Sequence, residues 1–197
     1  MSYFKDYSDI IGDRLKSIVC TNNSGATLPV QSALNDWRSL ALAAKLADNT
    51  LYFIGNGASA TMASHMALDS SKNASLRSFA LNDIAVLTAV GNDLGNEALF
   101  AAPLGWYCRA GDVLVAISSS GNSANIVQGI AQARKNNAKV VTLTGMKPDN
   151  QARRLGDINF YVPAHTYGIV ECIHQIILHA WLDELMGSQE LPNDRFR

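Results

Sequence analysis

The sequence carries no excess of charge of either sign. Its 197 residues include 16 Lys and Arg against 17 Asp and Glu, a formal net charge of −1. A chain so balanced makes no global electrostatic case for nucleic acid as a partner. Cysteine is sparse. Cys20, Cys108 and Cys172 are odd in number, widely spaced and not set at metal-ligand intervals, a usage expected of reduced thiols in the cytoplasm. Long apolar runs are missing, and none reaches the length of a bilayer span, so no membrane association is expected. Met1-Ser2-Tyr3-Phe4-Lys5-Asp6 lacks the layout of a secretion signal. No linker, low-complexity tract or short-period repeat divides the chain. What remains is 48% hydrophobic and 17% charged, the composition of one globular domain with one sizeable core.

Within that ordinary composition one segment stands out: Ser118-Ser119-Ser120-Gly121-Asn122-Ser123. It follows an apolar run, 113–117, with the character of a buried strand, and precedes a helix-like stretch, 125–135. A strand feeding a hydroxyl-rich loop that opens a helix is an anion cradle. Backbone N–H groups and serine hydroxyls converge where the helix dipole favours negative charge. The plainer reading is a polar turn with capping serines. A second unit repeats the device: strand 51–54, then Gly55-Asn56-Gly57-Ala58-Ser59, then a helical run to about residue 72. In a parallel sheet both loops lie at the carboxyl edge, where such folds bind ligands.

The first fifty residues read as helical. Phe4, Tyr7, Ile11, Leu15 and Ile18 form one apolar stripe, Asn22-Asn23-Ser24-Gly25 interrupts it, and Val30, Leu34, Trp37, Leu40 and Ala44 form another. Trp37 and Tyr7 are expected as anchors of a subunit interface. From residue 51 onward strands are predicted at 51–54, 77–81, 113–117, 139–143 and 158–162. Helices are predicted at 59–72, 83–90, 96–108, 122–136, 150–155 and 166–186. This alternation predicts an α/β fold, a three-layer, doubly wound, five-stranded parallel sheet with N-terminal helices over 1–50 and a peripheral tail over 187–197.

Two constellations on helices carry chemistry. His65 and Asp69 are four residues apart on the helix after the glycine loop, hence on one face, placed to bind a metal, share a proton or simply pair at the surface. Glu171, His174 and His179 interrupt an otherwise apolar final helix, where unsatisfied polar groups are costly. At 100° per residue Glu171 and His179 differ by about 80° and face one pocket, whereas His174 and His179 differ by about 140°. His174 is therefore read as the structural histidine. Asn92-Asp93 reads as a turn whose carboxylate suits a sugar hydroxyl. Gly55-Asn56-Gly57-Ala58-Ser59-Ala60 also fits a dinucleotide fingerprint with Asp83 as the ribose carboxylate. The serine loop and the paired leading helices are foreign to that design, so no nucleotide cofactor is expected.

Taken in order and spacing, Gly55-Asn56-Gly57-Ala58-Ser59, His65-x-x-x-Asp69, Gly91-Asn92-Asp93-x-Gly95, Ile117 to Ser123 and Glu171-x-x-His174-x-x-x-x-His179 resemble the phosphoheptose isomerases. These are sugar-isomerase (SIS) domain proteins that interconvert sedoheptulose 7-phosphate and a heptose 7-phosphate. The resemblance covers about residues 30 to 186. It implies a homotetramer with active sites at subunit interfaces. It assigns phosphate to Ser118, Ser119, Ser120 and Ser123, and the surrounding pocket to Asn56, Gly57, Ala58, Ser59, Asn92, Asp93 and Glu171. It makes Asp69 and His179 the acid–base pair, and it implies one divalent metal, zinc, per subunit on His65, Asp69, Glu171 and His179.

The chain departs from the family pattern at several points. Asp69 stands for Glu, Glu171 for Gln, Ala58 for Gly, Asn73 for Arg and Gly168-Ile169 for Asp-Arg, and the segment from Asp69 to Asn82 is several residues shorter. The rival expectation is a non-enzymatic phosphosugar-binding SIS module, a sensor or a partner of the bacterial replication initiator. The missing Arg and the short segment favour it; the retained His65, Asp69 and His179 disfavour it.

Overall fold

The computed structural model describes residues 2–187; the tail beyond Gly187 lies outside them. The chain runs α1 (Tyr3–Lys16), β1 (Val19–Asn22), β2 (Thr27–Leu28), α2 (Val30–Leu46), β3 (Leu51–Gly55), α3 (Ala58–Ala74), β4 (Ser78–Ala80) and α4 (Ile84–Asp93). A 3-10 turn (Asn96–Ala98), α5 (Ala101–Tyr107), β5 (Val113–Ser118), α6 (Ala124–Lys135), β6 (Lys139–Gly145), a second 3-10 turn (Ala152–Arg154), β7 (Ile158–Val162) and α7 (Tyr167–Met186) complete it.

The sheet order is β2-β1-β7-β6-β5-β3-β4. The five expected strands form its parallel part. β3 pairs with β4 on one side and β5 on the other, and the order then continues outward to β6 and β7. Chain progress reverses between β3 and β5, which makes their carboxyl ends the topological switch point. Two strands were not expected. β1 and β2 form a small antiparallel hairpin that lies against β7, with Cys20 opposite Phe160. The helical stripe of α1 continues through Ile18 in sequence. The backbone nevertheless becomes extended at Val19, because β7 offers that segment an open row of hydrogen-bond partners.

Alternation within the strands sorts the apolar residues onto two faces. Leu51, Phe53, Val113, Val115, Ile117, Val141, Leu143 and Phe160 face α2, α3 and α7. Tyr52, Ile54, Leu114, Ala116 and Val140 face α5 and α6. Trp37 corrects the sequence expectation. It is fully buried, with its ring stacked on Trp181 at 4.3 Å between centroids and 5.8 Å from Phe160. The α2 stripe is thus spent on the protomer's own core, and truncating either Trp to Ala would cost about 3–5 kcal/mol. α1 buries none of its residues, and Tyr3 and Phe4 are 82% and 79% exposed. Cys20 and Cys108 are buried free thiols whose pKa values burial pushes up to about 12, and Cys172 is an exposed free thiol. Among the described residues no helix is long and apolar enough to cross a membrane.

Candidate active site

The glycine and serine loops leave adjacent strands at the same edge, because Gly55 pairs in register with Ile117. The glycine loop turns so tightly that a Cβ on Gly55 would lie 2.5 Å from the Ser59 backbone, and Gly57 holds φ at +55°. Only glycine meets both demands without strain. Ser59 is buried under the first turn of α3, while Asn56, Gly57 and Ala58 are exposed. Asn56 and Asn125 exchange two side-chain amide bonds of 2.9 Å, tying the glycine loop to the first turn of α6.

In the serine loop, Ser118 Oγ accepts the Gly121 N–H at 3.1 Å and Ser120 Oγ accepts the Asn122 N–H at 3.3 Å. Each oxygen is fixed by the backbone, and its proton stays available to an acceptor such as a phosphate oxygen. Ser123 is the N-cap residue of α6 and makes no side-chain capping bond. Ser119 differs, since its hydroxyl lies 3.5 Å from Glu171 Oε1. The N-termini of α3 and α6 add their dipoles at this edge.

A second group lies along the seam between α3 and α7. His65 Nε2 stands 3.3 Å from Asp69 Oδ2, with the two side chains 48% and 21% exposed. The His65 and His179 rings meet edge to face at 5.4 Å. One ligand atom from each of His65, Asp69 and His179 lies within 4.8 Å of the other two, so the three form a triad able to hold a metal ion. Two imidazoles and a carboxylate are a donor set suited to zinc and similar divalent ions. Glu171 stands outside this triad. It shares a helical face with His179, but eight residues of α7 separate them by about 12 Å along the axis. Angular proximity was legible in the sequence; within this protomer Glu171 Oε1 lies 3.5 Å from the Ser119 hydroxyl.

His174 is fully buried, its Nε2 lies 3.1 Å from the Thr144 carbonyl, and burial lowers its pKa to about 4. Neutral over the ordinary pH range, it donates to that carbonyl and braces the end of β6. Asn92 and Asp93 are the last residues of α4 rather than a turn, which follows at Leu94-Gly95. They are exposed, and Asn92 Nδ2 donates to Asp93 Oδ1 at 2.7 Å. Among the described residues nothing joins them to either loop or to the triad within this protomer. Asp83 is used as the N-cap of α4, accepting the Val86 N–H at 3.0 Å. Sequence reading missed Asn125 and Asn82, whose amide donates to the Ala60 carbonyl and Ser64 Oγ on α3.

A cavity of about 610 Å3 opens at the opposite edge of the sheet, lined by Thr50, Tyr52, Arg77, Trp106 and Asp112 among others. A smaller one of about 450 Å3 adjoins the glycine loop at Asn56, Gly57, Thr61 and Ser64. The larger space lacks the hydroxyl cradle and the triad, so chemistry rather than volume locates the site.

The fold and the two loops define a class that comparison with known proteins matches: a SIS domain, found over residues 29–145. Phosphoheptose isomerase of Thiobacillus denitrificans is 34% identical over 148 residues, 69% of this chain and 75% of that protein. The solved structure of Neisseria gonorrhoeae phosphoheptose isomerase superposes with a TM-score of 0.72 at 32% identity, covering 78% of this chain and 86% of that one. The phosphoheptose isomerase structure from Francisella tularensis shares the fold, with a TM-score of 0.79 at 24% identity over 95% of this chain and all of that one. The chain belongs to the phosphoheptose isomerase family of SIS-domain enzymes.

Proposed function

We propose that this phosphosugar isomerase interconverts an open-chain ketose phosphate and its aldose, with sedoheptulose 7-phosphate and a heptose 7-phosphate as the pair. One observation supports the reading: the hydroxyl-rich serine loop and the His65, Asp69 and His179 cluster stand at two levels of one helical seam. α3 and α7 both start at the carboxyl edge of the sheet and run back along the same face. From Ser59 to Asp69 is about 15 Å along α3, and from Glu171 to His179 about 12 Å along α7. In this reading the phosphate sits on the serine loop and the open sugar chain runs along the seam toward Asp69 and His179.

In that pose the Asp69 carboxylate takes the proton from C1 of the ketose while protonated His179 donates to the C2 oxygen, giving the enediol. Asp69 then returns its proton to C2, and neutral His179 takes the proton from the C1 oxygen as the aldehyde forms. Each group finishes as it began. Such acid–base steps contribute about 10²–10⁴-fold apiece. His65, 3.3 Å from Asp69, orients the carboxylate. A divalent cation, zinc in the family resemblance, would be held by His65, Asp69 and His179 and would supply Lewis-acid polarisation of the carbonyl.

The assembly we infer is a homotetramer with shared sites in the cytoplasm. The unburied aromatic face of α1 and the exposed Asn92-Asp93 pair support it, since both lack a role within one protomer. Incubation with a panel of seven- and six-carbon sugar phosphates, read by NMR in D2O, tests the function. Conversion of the seven-carbon pair with deuterium entering at C2 is expected. Confirmed phosphosugar binding with no conversion of any member would overturn the reading.

A further inference from the structure

We propose that Asn150, in the crossover from β6 to β7, is a positioning residue that holds the serine loop in its anion-binding shape. The inference rests on the assignment of that loop to the substrate phosphate. Asn150 is only 1% exposed, and its side chain is fully engaged. Nδ2 donates to the Lys147 carbonyl at 2.8 Å and to the Gly145 carbonyl at 3.3 Å, and Oδ1 accepts the Arg153 N–H at 3.0 Å. The other side of Gly145 reaches the site, because its N–H donates to the Ser119 carbonyl at 3.0 Å.

The crossover then grips the loop twice more. The Ala152 N–H donates to the Gly121 carbonyl at 2.9 Å, and the Gln151 N–H donates to Asn122 Oδ1 at 3.0 Å. Gly121 is left-handed, with φ at +65°, and packs directly on the Asn150 amide, so that any Cβ there would overlap Asn150 Oδ1 and Cγ. The positions of the Ser118 and Ser120 hydroxyls depend on this residue, because they are set by the N–H groups of Gly121 and Asn122. Asn150 thus sits at the junction of β6, the crossover and the loop, touching no substrate itself. A buried amide with all its bonds made specifies one arrangement, and losing it takes the side-chain donor from the buried Gly145 carbonyl.

Inorganic phosphate is the probe, measured by calorimetry on the full chain, with KM and kcat for the sugar phosphate alongside. Asn150→Ala should weaken phosphate binding about tenfold or more and raise KM by a like factor, while kcat stays within about threefold, the signature of lost uniform binding. Asn150→Asp keeps the shape and the acceptor but loses the donor, and should do the same. Asn122→Ala removes only the exposed acceptor of the Gln151 N–H. It keeps the test alive if the buried variants do not fold, with a loss of about threefold to tenfold expected. Phosphate affinity within twofold of wild type in folded Asn150→Ala, or in Asn122→Ala if that variant alone folds, overturns the inference, as does a fall in kcat with affinity unchanged. Should Ser118→Ala with Ser120→Ala bind phosphate as well as wild type, the phosphate reading of the loop fails and this inference falls with it. Should that pair weaken binding while the Asn150 and Asn122 variants do not, only this inference is lost.

Discussion

The two ends of the site are built by different means. The proposed phosphate end is made of backbone and hydroxyls at the sheet edge, where Ser118 and Ser120 take their places from the N–H groups of Gly121 and Asn122. The proposed reacting end is made of three side chains on two helices, His65 and Asp69 from α3 and His179 from α7, brought within 4.8 Å by helix packing. The first kind of construction recognises an anion without a cation, and its donors are fixed before the ligand arrives. The second places groups that gain and lose protons, each dependent on one rotamer. Substitutions at the two ends should therefore separate binding from turnover.

The sharpest way to break that separation is Asp69→Asn. It keeps shape and removes basicity, so kcat should fall about a hundredfold or more while inorganic phosphate binds as in wild type. Full activity with native circular dichroism would remove Asp69 from the proton path. At the other end, Ser118→Ala with Ser120→Ala should weaken sugar-phosphate binding about tenfold or more, since each hydroxyl offers a charged acceptor one hydrogen bond. Calorimetry showing unchanged affinity would deny the loop its ligand. The smallest effect belongs to Glu171, the anion beside Ser119. Glu171→Gln removes a negative charge from the edge of the cradle, and phosphate should bind about threefold more tightly at low salt. Weaker binding instead would show that the carboxylate serves the sugar hydroxyls.

Much of this arrangement was legible from local signals. The five parallel strands follow apolar runs bounded by turn residues, and the observed spans, such as Leu51–Gly55 and Val113–Ser118, fall within a residue or two of expectation. The closeness of His65 and Asp69 is a property of one helix and needs no tertiary knowledge. What escaped depends on distant partners. β1 is four residues long and pairs across the chain with β7, so no periodicity announces it. The 96–108 stretch reads as one helix, yet it breaks into a 3-10 turn and α5 at Leu99-Phe100, where Phe100 turns into the core. Asn150 and Asn125 read as ordinary helix-start residues, the first of a helix over 150–155 that is only a 3-10 turn at Ala152–Arg154, and only their neighbours reveal what they hold.

The hairpin on β7 has a consequence for how the chain is made. Val19 stands opposite Tyr161 and Asn22 opposite Ile158, and Asn159 Nδ2 donates to the Thr21 carbonyl at 3.2 Å. During synthesis β1 has only β2 to pair with until β7 has left the ribosome. β3, β4 and β5 close shorter stretches of chain than β1 and β7 do, and can assemble their side of the sheet earlier. The first two strands made are then the last to join the sheet.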